Sequence, residues 1–581
     1  MSFFDTISSQ IKSVIAEIPE IANTNAPLEN IAIEIPKTRE FGDFSTNAAM
    51  ILTRAMRIPP RDIAAIIIPY ISALTFVSDV SVAGPGFINI KVRDEFIIHS
   101  MLNTKHEKTD TPMIIDMDYG SYNVAKSLHI GHLRPGVVGD AMYRIARDLG
   151  HKPISYNHMG DWGRPMALVI AWIWDLHPDW PFFQTPFVMP DDLSPYQIDA
   201  ERLNTFYPAS SARAKSDPEY MECVRMIKAE LQNGNPGYTA LYNIFLPISL
   251  AQMDNVICRL NMLPFDRPLG EKNAAKYLGA TEEILRKKNM IEKSDGAEII
   301  VVRREDDNAP MPPLMWLDSR GGDTYDSTDL AAIYYRKITD NPDKILYFTD
   351  TRQNLHFQQV FRGADMAGIM PYDKMEHIGF GTINGADGGP FKTRGGETPE
   401  LIGILDMVEN AVRMRAASAN KDLSKENIAD IALSAIKFND YLHDVRSDYI
   451  FDPDAITSFE GRTGPYILYT AVRLKSVLAR ASDITPKLSD NLAMDERNLL
   501  LTILDFPRVL GTAFARRAPD ILANYIYDLA QLTNTFYHNC PIMRDDIDNK
   551  TRQHRLAIVE KTLGILERGI DLMGMRVPDK M

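Results

Sequence analysis

The sequence predicts a multidomain α/β protein. A doubly wound parallel sheet carrying a helical insertion should be preceded by a small α+β domain and followed by an all-helical bundle. Three observations lead there. A chain of 581 residues exceeds what one hydrophobic core holds, so it divides into domains. Between residues 113 and 160, "MIIDMD", a long amphipathic stretch and "PISYNHMG" follow as strand, helix and strand. That is a βαβ unit, which implies parallel pairing. Beyond about residue 410 the apolar spacing is helical almost without interruption.

In chain order, "MSFFDTISSQIKSVIAEI" reads as an amphipathic helix, and "NIAIEIP" and "FINIKV" as strands, the second after the turn "AGPG". Together they make an α+β domain over residues 1–110, closed by the polar stretch "KHEKTDTP". The second domain, 111–410, opens with the βαβ unit. In its helix Val138, Met142, Ile145 and Leu149 recur at helical spacing, and Gly150 is the stop. A largely helical stretch at about 165–270 reads as an insertion. "AEIIVVRR", "KILYFTD" and "HIGFGTI" then supply strands of the second half, with "QNLHFQQVFRGADMAG" a helix between the last two. In the last domain, 411–581, Ile521, Leu522, Tyr525, Leu529, Leu532 and Phe536 trace one apolar stripe, with Pro519 near its helix start.

Composition narrows the function classes. No apolar run reaches the roughly 20 residues of a membrane span. The N-terminal helix lacks a basic leader and a small-residue cleavage site, so the expectation is a cytoplasmic protein without a membrane partner. Cys223, Cys258 and Cys540 are too far apart in sequence for a disulfide framework or a C-x-x-C zinc half-site. The net charge of −14 weighs against nucleic acid, although a local basic face on an acidic molecule still binds phosphates.

The chemistry concentrates in "NVAKSLHIGHLRPGVVGD", residues 123–140. His129 and His132 stand three apart, a spacing compatible with zinc, but no third ligand follows at helpful spacing. The pair is either structural or functional by position. It lies after the first strand of a doubly wound sheet and at the start of the next helix, where open α/β sheets bind nucleotides and helix N-termini attract phosphate. Two imidazoles there can donate hydrogen bonds to a triphosphate. Pro135 is harmless only in a first turn, so the helix should begin near His132.

"HIGH" preceded by "NVAK" and followed by "NHMGDWG" resembles the class I aminoacyl-tRNA synthetases, specifically the arginyl-tRNA synthetase family. The resemblance spans the chain. "REFGDFSTNAAM" and "VAGPGFINIKV" look like the family's N-terminal domain, and "TDTRQNLHFQQVF" and "PFKTRGGETPELIGILD" like its second catalytic half. "EGRTGPYILYTAVR", "LANYIYDLAQLTNTFYHNC" and "RGIDLMGMRVPDKM" look like its anticodon-binding bundle.

The resemblance implies a Rossmann-like class I catalytic domain that activates L-arginine with ATP and transfers it to the 3′ end of tRNA(Arg). ATP would arrive with Mg²⁺, without a metal site built into the protein. His129, Gly131 and His132 then correspond to the ATP-binding motif. The usual KMSKS loop is reduced here to "PFKTRGG", leaving Lys392 at a comparable place, and Lys126 before HIGH corresponds to the family's compensating lysine. For arginine, the matching residues are Tyr325, Asp329 and Gln353 around the guanidinium, with Glu271 facing it, and Asp118 and Asn123 at the α-amino and carboxylate end. Of the three side chains placed around the guanidinium, only Asp329 carries formal charge. Two departures stand out: Tyr122 occupies a position where the family usually has proline, and Pro135 one where a small polar residue is common. Tyr466 and Tyr469 match anticodon-side aromatics, equally readable as core, and Asn47 is a candidate for the tRNA elbow. A monomer is the family's usual state.

Overall fold

Four parallel strands form the sheet: β1 (Ile114–Asp118), β2 (Lys152–Tyr156), β3 (Lys344–Asp350) and β4 (Met375–Phe380), in spatial order β4-β3-β1-β2. Helix α1 (Leu133–Asp148) links β1 to β2, and helix α3 (Asn354–Met366) links β3 to β4, with α2 (Tyr325–Thr339) leading into β3. The computed structural model describes residues 2–581 other than 37–38, 104–107, 121, 125–126, 386, 390, 392–398 and 490. Chain order and sheet order reverse between β1 and β3. Loops at the carboxyl ends of these two strands therefore open a crevice, the place where doubly wound sheets hold ligands.

The insertion contains four helices, Arg164–Leu176, Ala200–Ser216, Pro218–Gln232 and Pro236–Arg259. One expected strand goes elsewhere. "AEIIVVRR" contributes only Ala297–Ile300, to a separate antiparallel sheet with Ile291–Ser294 and Leu314–Leu317. The reason is local: Asp295 and Gly296 both have positive φ, 49° and 82°. A two-residue turn of that kind returns the chain as a hairpin and forbids the crossover a parallel strand requires.

The chain forms two units, Thr109–Pro465 with Leu572–Met575, and Met1–Lys108 with Tyr466–Asp571 and Arg576–Met581. The first unit thus extends past residue 410. Helix Lys425–Tyr441 belongs to it because it packs on α1: buried Arg134 pairs with Asp440 at 3.2 Å, and the Tyr441 hydroxyl donates to the Val137 carbonyl at 2.8 Å.

In the second unit an antiparallel sheet, ordered Ile33–Glu34, Phe44–Thr46, Phe87–Val92 and Val77–Ala83, is covered by helices that include the amphipathic Phe3–Glu17. That first helix is capped by Ser2 and buries Ile7, Ile11 and Ile15, a spacing of four that keeps them on one face. The bundle helix Pro519–Asn539 buries Leu522, Tyr525, Leu529 and Phe536, while Ile521 and Leu532 are half-buried. Arg497, 5% exposed, joins the two halves of this unit by donating to Asp43, to the Val92 carbonyl and to Asp94. No single helix among the described residues is long and apolar enough to cross a membrane.

Candidate active site

The histidine motif is built around its own backbone. Residues Ile130–His132 form one 3₁₀ turn and α1 begins at Leu133, so Pro135 falls in the first helical turn. The His129 N–H donates to Nδ1 of His132 at 3.0 Å, and the Gly131 N–H donates to Nδ1 of His129 at 3.2 Å. These bonds hold the two imidazoles 4.0 Å apart, tilted by 35°. A Cβ on Gly131 would sit 3.0 Å from the His129 ring, so glycine lets the ring lie back against the turn. Accepting through Nδ1 leaves Nε2 as the proton-bearing edge of each neutral ring, the donor a phosphate oxygen requires.

Tyr122 replaces the expected proline with a wedge. It is fully buried, meets the His132 ring edge-on at 5.8 Å, and its hydroxyl occupies the space where a Cβ on Gly136 would go. Packing therefore braces the loop where a proline ring would have stiffened it.

A backbone bridge ties this motif to residues 399–401. The Ile130 N–H donates to the Pro399 carbonyl at 3.3 Å, and the Leu401 N–H to the Leu128 carbonyl at 2.7 Å. Pro399, Glu400 and Leu401 are thereby held beside His129. Lys126 and Lys392 themselves lie outside the described residues.

A second constellation surrounds Asn123. The backbone of residues 122–124 pairs with Gly160, and a Cβ on Gly160 would collide with the Asn123 amide. That position lies 4.0 Å from Oε1 of Glu271, which brings Asn123 and Glu271 to one wall. Glu271 is 8% exposed, and burial pushes its carboxyl up to about 7, with the nearby charges of Asp161 and Asp329 adding to the effect.

Across from it, α2 presents Tyr325, largely exposed at the rim, and Asp329 one turn deeper. Asp329 is not a solitary charge. Its Oδ2 accepts from Nε2 of His356 at 2.6 Å, and its Oδ1 lies 3.4 Å from Nε2 of His158. Nδ1 of His356 in turn reaches Oδ1 of Asp326 at 2.9 Å. Burial pushes the Asp329 carboxyl up, but the His356 hydrogen bond and charge outweigh it and hold the group below its ordinary value. His356 is pushed up to about 10 because its two carboxylate partners overcome the effect of its burial. Gln353, exposed, precedes His356 by three residues at the start of α3 and so shares its face.

Asp118 is placed differently from its expected neighbours. It is 2% exposed, and its Oδ2 accepts from Arg336, itself fully buried. The Arg336 guanidinium lies 4.4 Å from the Tyr156 ring and 4.9 Å from that of Tyr347. The charge of Asp118 is thus taken up beneath the crevice.

In the other unit, Oδ1 of Asn47 accepts from the Ala32 N–H at 2.8 Å, which pins the chain ahead of the first strand. Tyr466 and Tyr469 are both half-buried. Asn534 donates to the Tyr466 hydroxyl at 2.9 Å, and Arg473 lies 4.7 Å over the Tyr469 ring.

Sequence reasoning missed His158, Asp326, His356 and Arg336. His356 carried a signal, its i, i+3 spacing from Gln353. Arg336 carried none, because its partner lies on a strand more than two hundred residues away.

Comparison with known proteins agrees along the whole length. Residues 95–453 match the family model described as tRNA synthetases class I (R), catalytic domain. Residues 5–92 match the arginyl tRNA synthetase N terminal domain, and residues 467–581 the DALR anticodon binding domain. The chain is 37% identical over 555 residues to the arginine–tRNA ligase of Alkaliphilus oremlandii, covering 93% of this chain and 94% of the relative. It is also 37% identical over 558 residues to that of Hyphomonas neptunium, with the same coverage. The fold is shared with the arginyl-tRNA synthetases of Thermus thermophilus (TM-score 0.80, 22% identity, 99% of this chain and 100% of that one) and Plasmodium falciparum (0.79, 24%, 99% of each). These matches from end to end have one explanation: the chain belongs to the arginyl-tRNA synthetase family.

Proposed function

We propose that this protein is an arginine–tRNA ligase, which activates L-arginine with ATP and passes the arginyl group to the 3′ end of tRNA(Arg). The observation that carries this reading is the pair of carboxylates facing one another across the crevice, Glu271, 8% exposed, and Asp329, its side chain 19% exposed. A guanidinium is planar, permanently charged and rich in donors, and two carboxylates recessed from water are its complement.

In this reading the arginine carboxylate attacks the α-phosphate of ATP, forming arginyl-adenylate and releasing pyrophosphate. ATP enters with Mg²⁺ as part of the substrate. The enzyme's task is to position groups and neutralise developing charge. His129 and His132 donate to phosphate oxygens, and Gly131 keeps the turn open for the nucleotide. Lys126 and Lys392 supply two ammonium groups from the two motifs to the triphosphate. Tyr325, Gln353, Glu271 and Asp329 hold the guanidinium, and Asn123 the α-amino and carboxylate end. Asp118 acts from below, through the wall it builds with Arg336.

For the tRNA, the bundle takes the anticodon with Tyr466 and Tyr469 as stacking surfaces, and the N-terminal domain takes the elbow near Asn47. The matched DALR anticodon binding domain, residues 467–581, supports the bundle's part in this reading. Because the chain carries net charge −14, tRNA binding depends on local basic faces and weakens with salt. A cytoplasmic monomer is the expected working form, checked by sedimentation of the full chain.

Aminoacylation of total tRNA with each labelled amino acid separately tests the whole reading. Incorporation of arginine alone is the expected result; incorporation of another amino acid, or of none, overturns it.

A further inference from the structure

We propose that His356 is a positioning residue of the arginine pocket, clamped between Asp326 and Asp329 so that one oxygen of Asp329 is held fixed and the other is turned toward the substrate. This rests on the reading of Asp329 as a guanidinium contact.

The geometry is a short relay. The Met315 N–H donates to Oδ2 of Asp326 at 2.8 Å and anchors that carboxylate to a neighbouring strand. Oδ1 of Asp326 takes Nδ1 of His356, and Nε2 of His356 takes Oδ2 of Asp329. Both ring nitrogens are donors in this arrangement, so the ring is an imidazolium. Among the described residues Oδ1 of Asp329 has only the longer contact to His158, at 3.4 Å, and is the oxygen a ligand can take.

Two consequences follow. Asp326, His356 and Asp329 together carry two negative charges and one positive, so the cluster presents one net negative charge, to which Glu271 adds a second when it ionises. The carboxylate plane of Asp329 is also fixed before substrate arrives. Paired contacts to a planar guanidinium depend on that plane, whereas contact to a lysine ammonium does not.

The groups facing His356 from the other packed elements do not offset this. His377 on β4 is pushed down to about 4 by its burial and by the charge of His356, so it stays neutral. Arg336 acts on Asp329 from a distance and is itself paired with Asp118. Glu271 adds acidity on the opposite wall.

The test uses the full chain and steady-state aminoacylation. His356→Gln keeps one donor and loses the charge and the second bond. Losing a charged hydrogen bond predicts a rise of about 10- to 100-fold in KM for arginine. The value of kcat at saturating arginine and the KM for ATP should stay within about threefold, a split that general destabilisation does not produce. The arginine-to-lysine ratio of kcat/KM should fall in the same variant. Asp326→Asn, which keeps an acceptor for the ring, should raise the KM by a smaller factor and serves where His356→Gln does not fold. Asp329→Asn separates the two levels. If it raises the KM for arginine while His356→Gln and Asp326→Asn leave it unchanged, the positioning role is wrong. If Asp329→Asn itself leaves the KM unchanged, the pocket assignment fails and this proposal fails with it.

Discussion

Replacing Glu271 by glutamine should move stability and function in opposite directions. The carboxyl is 8% exposed, and burial pushes it from its ordinary 4.5 to about 7. A displacement of that size corresponds to about 3 kcal/mol against ionisation in the folded chain. The sign follows from proton counting. Below pH 4.5 the group is protonated whether folded or unfolded and contributes nothing. Between 4.5 and about 7 the unfolded carboxyl ionises first and holds fewer protons, so stability falls as pH rises; above about 7 the penalty is complete. Glutamine has no charge to bury. Glu271→Gln should therefore be more stable than the wild type by about 1–3 kcal/mol at pH 8, with the advantage shrinking toward pH 5. It would be read as a shift in the denaturation midpoint of the full chain. Arginine reverses the balance, because a guanidinium beside Glu271 favours the carboxylate. The wild-type to variant ratio of kcat/KM for arginine should accordingly rise about tenfold between pH 6 and 8, as the ionised fraction of the glutamate grows. Equal stability of the two proteins at pH 8 would refute the buried-charge argument. A ratio independent of pH would show that Glu271 does not face the substrate.

Three further outcomes are expected. Asp329→Asn should lose most arginine activity while narrowing the arginine-to-citrulline ratio, because neutral citrulline leaves the net negative charge of the Asp326–His356–Asp329 cluster unmatched. An unchanged ratio would return Asp329 to a purely local role beside His356. Lys126→Ala and Lys392→Ala should each slow adenylate formation by about a hundredfold with little change in arginine affinity, as measured in single-turnover assays; full activity in either would remove that lysine from the phosphate clamp. Arg497→Met should destabilise the chain by about 3–5 kcal/mol, because Asp43, 3% exposed, is left buried without its partner. Adding Asp43→Asn to that variant should recover part of the loss in thermal melts, and a strictly additive effect would argue against the pairing.

The elements that position the site were legible wherever local spacing determines structure. "KILYFTD" is β3 to the residue, and α1 begins one residue after His132, as a proline in the first turn requires. The strand "AEIIVVRR" was not legible, because an apolar run has the same appearance whichever sheet it joins, and the turn at Asp295 and Gly296 decided its partner. The packing of helix Lys425–Tyr441 was equally hidden. Helix Lys425–Tyr441 has an ordinary apolar face, and nothing within it announces that Asp440 and Tyr441 pack on α1.

The sequence by itself determined the order of elements, the nucleotide-type crevice and the family, since these follow from periodicity and from motifs contiguous in the chain. Through the family resemblance it also named Tyr325, Asp329 and Gln353 as candidates. Only the tertiary structure decided what charges those residues meet. Asp329 is clamped by His356 from another helix, Asp118 is taken up by Arg336 from helix α2, and Glu271 is buried beside Gly160. The physical reason is that charge pairing and desolvation depend on distance in space, and each of these pairs is assembled from segments that sequence spacing leaves unrelated.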